Sequence, residues 1–439
     1  MAWDFSTPEG FQSELDWMLN FVDNTLAPLE LLYEGLNQAQ LDAIWAPLKQ
    51  KVKDRGLWAA HLPPEHGGQG YGQVRLALMH EVLGRAELAP EIFGCQGPDS
   101  GNAELLSVGA NEEQKQRWLY PLLAGELRST FSLTEPDTSG SDPTGIKTRC
   151  ERDGNEWVIN GHKWFASNAS VSDFTLLMAV TDAQAPPHKR ASMIIVPKDT
   201  PGMRVVRDVS TMSHPGHAEE GELLNRIGGH SEVVYQNCRV PLDHMIGNPG
   251  EGFILAQKRL GGGRIHHAMR MIGQCYRAFD MLKERAVSRV TRGKPLAKQQ
   301  MVQAMIADSY AEISMARLLV LKSAWTMDKE GPFSKAARLD IAASKFAVPS
   351  VLLNVIDRAI QLHGALGYSC DMPLESMYRS ARALRLADGA DEVHKQSVAR
   401  LLLEDVAAVE RFPSEHIPTR RKAASVEFSA LVRAALEDR

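Results

Sequence analysis

Residues 129–145 read STFSLTEPDTSGSDPTG, and the texture of the chain changes where they begin. Before them, apolar residues fall at helical spacing. Leu41, Ile44, Leu48 and Val52 lie three or four apart, and 112–123 repeats the pattern behind Asn111 as an N-cap. From Ser129 onward the apolar runs are short. Strands are expected at 129–134, 147–151, 156–159, 174–180 and 192–196, with 203–206 and 231–240 as further candidates. Asp153-Gly154-Asn155 and Asn160-Gly161 read as the turns between them, and 180–189 and 213–229 as excursions. After Gly250 the helical spacing returns. Phe253, Ala256, Leu260, Arg264, Ala268, Met271, Cys275, Ala278, Leu282 and Ala286 form one stripe. The three glycines at 261–263 are predicted to kink or break it. Long helices are expected at 300–328, 333–365 and 392–409.

These signals predict an α+β multidomain fold. An N-terminal helical domain covers 1–128, and a middle β-barrel or sandwich domain covers 129–248. A C-terminal four-helix bundle covers 249–409, and a bundle of this kind makes a good oligomer surface. Residues 410–439 read as a polar, Arg-rich tail with a weak last helix. No tandem repeat is apparent.

Composition narrows the function. The 439 residues are 44% hydrophobic and 23% charged, with 49 Lys plus Arg against 54 Asp plus Glu and a formal charge of -5. No strongly basic domain is available, which argues against nucleic acid as the main partner. No apolar run approaches the ~20 residues of a membrane helix, so no integral membrane segment is expected. The first ten residues, MAWDFSTPEG, lack a basic region followed by an apolar core, so no secretory signal is read. Cys95, Cys150, Cys238, Cys275 and Cys370 include no C-x-x-C pair and are odd in number, so reduced thiols and a cytoplasmic protein are expected.

Several motifs fail. The glycines of 67–72 do not follow a strand, so a plain turn is preferred to phosphate binding. There is no P-loop, no G-x-S-x-G and no H-E-x-x-H. His214 with His217, and His266 with His267, lack a third ligand nearby, so no metal is expected. Four segments carry more. Phe131–145 starts as a strand and ends in small hydroxyl residues, suited equally to a planar ring with phosphate or to a polar turn. INGHKWFASN, 159–168, feeds two aromatics and a serine into a strand, where an aromatic cluster in the β core is the plainer reading. QLHGALGY covers 361–368. YRSARALRLADGADEVH covers 378–394, and its Asp391-Glu392 can open a helix by capping alone.

Taken together, these segments resemble the acyl-CoA dehydrogenase family, in order and spacing, over about residues 10–405. The motifs are T-E-P…G-S-D, I-N-G-x-K, R-x-x-x-G-K…Q, Q-x-x-G-x-x-G and R-x-x-R…D-G. Arg264-Ile-His-His267 and 387–394 look like the subgroup holding vertebrate members ten and eleven and many bacterial enzymes. The resemblance implies FAD and the α,β-dehydrogenation of a saturated acyl-CoA thioester to a trans-2-enoyl-CoA. A carboxylate takes the α-proton while the β-hydrogen leaves as hydride to flavin N5. Asp388 matches the base, where most of the family has Glu, and Arg264 matches an Arg near it; helix packing or a subunit contact is the other reading of Arg264. For the flavin, Phe131, Leu133, Thr134, Phe165 and Ser167 match the ring, and Gly140 and Ser141 the pyrophosphate side. Arg289, Gln300, Gln361 and Gly364 match positions contributed across a dimer interface. Ala390 and Glu392 match cofactor positions, with Gln common in place of Glu392. Arg292 departs from the family's Phe. The resemblance further implies a homodimer or homotetramer, and electron-transfer flavoprotein as electron acceptor. Two other readings share the motifs: another reaction on the same flavin scaffold, and a non-catalytic subunit. The insertion at 214–226 is read as facing solvent in preference to the CoA side.

Overall fold

The computed structural model describes residues 6–33, 35–216 and 218–437, and the side chains of 258–262 lie outside it. Met1–Lys395 form one compact unit and Gln396–Arg439 a second. In the first unit, the leading helices are α1 (Glu9–Phe21), α2 (Gln38–Asp54), α3 (Gln73–Leu83) and α4 (Asp99–Gly109). Helix α2 starts at a capping box between Asn37 and Gln40 and buries Leu41, Trp45, Leu48 and Val52. Trp45, not the expected Ile44, completes the buried stripe. Each such side chain contributes about 1.5–3 kcal/mol on leaving water. The glycine-rich stretch before α3 is a loop, as expected. The first N–H groups of α3, at Gln73 and Val74, donate to the Asp328 carboxylate at 2.6 and 3.1 Å. That acid occupies the place a phosphate would take.

The middle segment forms one sheet. Its strands are β1 (Ser129–Ser132), β2 (Arg149–Asp153), β3 (Glu156–Ser167), β4 (Phe174–Val180), β5 (Ala191–Pro197), β6 (Met203–Asp208), β7 (His230–Pro241) and β8 (Met245–Ile246). The order is β6-β7-β3-β2-β4-β5-β8, with β1 parallel to β4 off that path. Asn160-Gly161 is not a turn. Strand β3 runs through it, pairing with β7 on one side, and the irregularity is a register shift between Ile159 and Gly161. Pairing on both flanks of β3 outweighs the local turn preference.

The long helices are α5 (Gly252–Ser288), α6 (Gln300–Glu330) and α7 (Lys335–His363), followed by α8 (Leu374–Ala383) and α9 (Asp391–Leu403). Ile265, Ile272 and Leu282 of α5 share a core with Ile313 and Val320 of α6 and Val348, Leu352 and Val355 of α7. The expected break at 261–263 does not occur, because α5 is helical throughout. Each glycine costs about 1 kcal/mol of helix propensity, less than the packing C-terminal to it supplies. Helix α7 is long and apolar enough to cross a membrane by length and composition. Its most apolar window is 56% buried within the protein, as befits a core helix. Helices α3 and α5 approach closely at two glycines. A Cβ on Gly84 would lie 2.0 Å from the Arg270 carbonyl oxygen, and one on Gly273 would lie 2.1 Å from that of Glu81. This approach stacks His80 on His266 at 4.3 Å between ring centroids.

The second unit holds the end of α9 together with α10 (Ile417–Glu427) and α11 (Ser429–Glu437), two helices where one weak helix was expected.

Candidate active site

Between α8 and α9 the chain makes a tight loop carrying Asp388. Asp388 has φ +55°, the left-handed region that a branched acid seldom adopts, and Gly389 follows at φ +102°. Three contacts hold the loop. Lys345 Nζ of α7 donates to the Leu384 carbonyl at 2.7 Å. Arg385 Nε donates to Asp391 Oδ2 at 2.7 Å. His394 Nε2 lies 3.3 Å from the Asp388 carbonyl oxygen, so that nitrogen carries the proton. A Cβ on Gly389 would meet the same Nε2 at 2.7 Å, so the ring packs where only glycine fits. Ala390 turns the chain into α9: its carbonyl accepts from Val393 and His394. Asp391 is buried, and Glu392 beside it is exposed.

The Asp388 side chain is one-third exposed, and His267 Nε2 of α5 stands 3.6 Å from its Oδ2. The surroundings are cationic. Burial pulls Arg264 below its usual range while Asp388 opposes that shift, and Arg264 Nε is buried without a partner among the described residues. Burial also lowers Lys345, with Asp388 and Asp391 opposing. His394 is pushed down to about 4, first by burial and then by Arg264, so it is neutral at ordinary pH. A carboxylate open to an incoming molecule, on a braced loop and beside fixed positive charge, can serve as a base.

A second cluster forms around the β1 end. Phe131 lies in β1, one residue before its end, and the Thr134 carbonyl accepts from Trp164 N at 2.8 Å. Phe165 has φ +54°, stacks on Trp164 at 5.7 Å and leaves 46% of its surface exposed. Ser167 Oγ lies 2.9 Å from His230 Nδ1, and Trp164 Nε1 is a buried donor without a partner among the described residues. Gly140 and Ser141 lie exposed on the loop beyond Thr134. An exposed aromatic face, nearby hydroxyls and a small-residue loop suit a planar hydrogen-bonding ring with a phosphate tail.

What the sequence reading left without a role is the brace beneath this cluster. Lys163 is fully buried, and its Nζ donates to the Leu133 carbonyl at 2.8 Å and to Glu135 Oε1 at 2.9 Å. Glu135 also accepts from Lys147 N at 2.6 Å and Thr148 N at 2.8 Å. Burial depresses Lys163 to about 8 against the pull of Glu135, so it stays largely charged at neutral pH. Both residues stand inside quoted motifs, so the signal was present. Segment 214–226 is tied to the body as well as to solvent. Leu224 N donates to Asp208, while next to it Ser213 meets Ser380 of α8 and Met212 O accepts from Arg379. His217 of the paired-histidine reading lies outside the described residues.

The remaining candidates are not brought to Asp388. Arg289 ends α5, Gln300 begins α6, and Gln361 and Gly364 end α7, all exposed at one end of the bundle. Arg285 Nη2 of α5 reaches the His363 carbonyl of α7 at 3.5 Å, which fixes these ends together. At 1.5 Å per residue, Arg289 is roughly 37 Å along α5 from Arg264.

Comparisons with known proteins agree along the whole arrangement. The description "Acyl-CoA dehydrogenase, N-terminal domain" matches 14–126, the middle domain 130–223 and the C-terminal domain 250–403. Acyl-CoA dehydrogenase family member 10 of Mus musculus is 43% identical over 416 residues, covering 91% of this chain and 38% of its own length. The chain likewise spans 45% of the rat family member 11, to which it is 42% identical over 82% of its own residues. FadE2 of Mycobacterium tuberculosis, named a probable acyl-CoA dehydrogenase, is 44% identical over 80% of this chain and 84% of its own. Among solved structures, butyryl-CoA dehydrogenase from Megasphaera elsdenii superposes with TM-score 0.77 at 27% identity, covering 91% of this chain and all of its own.

Proposed function

The chain belongs to the acyl-CoA dehydrogenase family, and on that premise we propose that Asp388 is the base of an FAD-dependent dehydrogenation of a saturated acyl-CoA to the trans-2-enoyl-CoA. The observation that carries this reading is the Asp388 carboxylate, accessible on a strained, triply anchored loop among cations. The α-proton of a thioester is a poor acid, so its removal needs a positioned base and polarisation of the carbonyl. The Asp388 backbone N–H is proposed to donate to the thioester oxygen as enolate charge grows. Arg264 offsets charge around the carboxylate, and the acyl chain excludes water.

FAD supplies the redox half of the reaction when bound, accepting the β-hydrogen as hydride. Phe165 offers its exposed face to the ring, with Phe131, Leu133, Thr134 and Ser167 along the edges. Gly140 and Ser141 suit the pyrophosphate, and Ala390 and Glu392 approach from the base loop. Arg289, Gln300, Gln361 and Gly364 stand too far along the helices to serve the same copy's Asp388. A second copy supplies them, so the assembly is a homodimer or homotetramer. Electron-transfer flavoprotein is the proposed acceptor, fatty acid β-oxidation the setting and the cytoplasm the location, the last resting on five free cysteines. The proposed domain divisions are 1–128, 129–248 and 249–409, with 410–439 as the tail.

The test is the visible spectrum of the purified protein, recorded anaerobically before and after a saturated acyl-CoA. Flavin absorption that bleaches establishes cofactor and thioester substrate together. Asp388→Asn keeps flavin and substrate binding yet nearly abolishes bleaching. A variant that bleaches at the wild-type rate removes Asp388 from the role.

A further inference from the structure

Resting on the reading of Asp388 as base, we propose that His267 and Arg270 of α5 are positioning residues that hold the Asp388 carboxylate in its working orientation. They lie one helical turn apart on one face, and a chain of polar groups runs through them. Gln96 Oε1 accepts from Arg270 Nη1 at 3.0 Å. Arg270 Nη2 lies 3.3 Å from His267 Nδ1 and 3.5 Å from its Nε2. His267 Nε2 then stands 3.6 Å from Asp388 Oδ2.

Only an Nε2–H suits the contact with Asp388. The guanidinium can only donate, and a carboxylate can only accept. Arg270 Nη2 is almost equidistant from the two ring nitrogens, so it lies over the imidazole face, and Nε2–H is the donor that can point to Asp388. The other tautomer would leave a bare Nε2 facing the carboxylate. Arg270 is buried, and burial lowers it to about 10, so it remains charged at neutral pH and opposes a second charge on His267. The 3.6 Å gap exceeds a formed hydrogen bond, and such contacts tighten when substrate excludes water. Without this donor, the carboxylate loses one of the groups that orient it toward the α-carbon.

Among the described residues, the other charged groups near Asp388 include Arg264 of α5, Lys345 of α7, and Arg385, Asp391 and His394 of its own loop and α9. Around Arg270 stand His61, His80, His266 and Cys95. All are common to wild type and variants, so a difference between pH profiles isolates His267.

The experiment uses the flavin-loaded enzyme and its His267→Ala and His267→Gln variants. Anaerobic bleaching by a saturated acyl-CoA is followed against pH, with flavin content and thermal midpoint as folding controls. His267→Ala lowers the limiting rate about tenfold or more. It also moves the acid limb upward by about 0.5–1 unit, because a donor to the charged carboxylate is lost. The half-saturating concentration stays within about twofold. His267→Gln, which keeps an N–H near the Nε2 position, recovers most of the rate. An unmoved limb and rate in His267→Ala, or a change confined to half-saturation, overturns the proposal. Nitrogen NMR of histidine-labelled enzyme without substrate gives a second readout. The His267 signal, identified by its loss in His267→Gln, reports a neutral ring protonated at Nε2 and shifts in Asp388→Asn. A signal protonated at Nδ1, or one unmoved in Asp388→Asn, overturns it too. If Asp388→Asn bleaches normally, the base assignment itself fails; if Asp388→Asn is inert and His267→Ala normal, only the positioning role fails.

Discussion

Replacing Gly389 by alanine puts a Cβ 2.7 Å from His394 Nε2 and 3.4 Å from two further ring atoms. Ordinary carbon contacts begin at about 3.5 Å, so the ring or the loop must yield by about 0.8 Å. A side chain at φ +102° adds about 1–3 kcal/mol of strain. The His394 ring holds the Asp388 carbonyl, so either adjustment moves the residue proposed as the base. A displacement near 1 Å can cost about 100-fold in rate, which is the expected fall in single-turnover bleaching by acyl-CoA. Flavin content should stay close to wild type, because the aromatic cluster of Phe131–Ser132 and Trp164–Ser167 belongs to other segments. Gly331→Ala is the control: its φ is +83° but nothing lies within 4 Å. It should lose about 1–3 kcal/mol of stability with an unchanged rate. Bleaching of Gly389→Ala within about threefold of wild type, at full flavin content, would refute the claim that loop geometry limits the reaction.

Lys163→Met leaves Glu135 buried without its cation and the Leu133 carbonyl without its donor. Breaking such a pair costs about 3–5 kcal/mol. Calorimetry should show a lower thermal midpoint, and dialysis weaker FAD retention; an unchanged midpoint would contradict the brace. The pH dependence of stability has a sign set by buried histidines. His61 is pushed by burial from 6.5 to about 4, so above pH 6.5 neither state is charged. Between pH 6.5 and 4 the unfolded chain takes a proton that the folded one refuses, and stability falls by up to about 1.4 kcal/mol per unit. Asp99, raised to about 7 by burial, works oppositely, with its contribution fading as pH rises through 7. Comparison of His61→Gln with wild type in urea unfolding therefore isolates the histidine: the variant should lose less stability on acidification. Equal slopes would refute the assignment.

The motif at 378–394 disclosed the proposed base, its glycine and the residues after it, because those contacts are local. His394 reaches back six residues, and Arg385 pairs with Asp391 across the same loop. The brace of Lys163 on Glu135 and the approach of His267 to Asp388 were hidden for the opposite reason. Their residue types were in view, but the partners are joined only by sheet pairing and by the packing of α5 against the loop. Local signals misled where tertiary structure competed. Asn160-Gly161 carries a strong turn preference, yet β3 is paired on both sides there. The glycines at 261–263 weaken a helix that the Ile265–Leu282 stripe nevertheless holds in one piece.

The loop that carries Asp388 is over-determined, and that has a chemical consequence. A left-handed aspartate followed by a glycine at φ +102° costs energy that persists only when neighbours fix it. Lys345 holds the loop's entry, the Arg385–Asp391 pair clamps it across, and His394 holds its centre. Aspartate is a short acid with little reach, so in the proposed role its position depends on the rigidity of the backbone that carries it. Anchors on α7, α9 and the loop itself supply that rigidity. His267 Nε2 of α5 stands 3.6 Å from the side-chain carboxylate that this loop delivers.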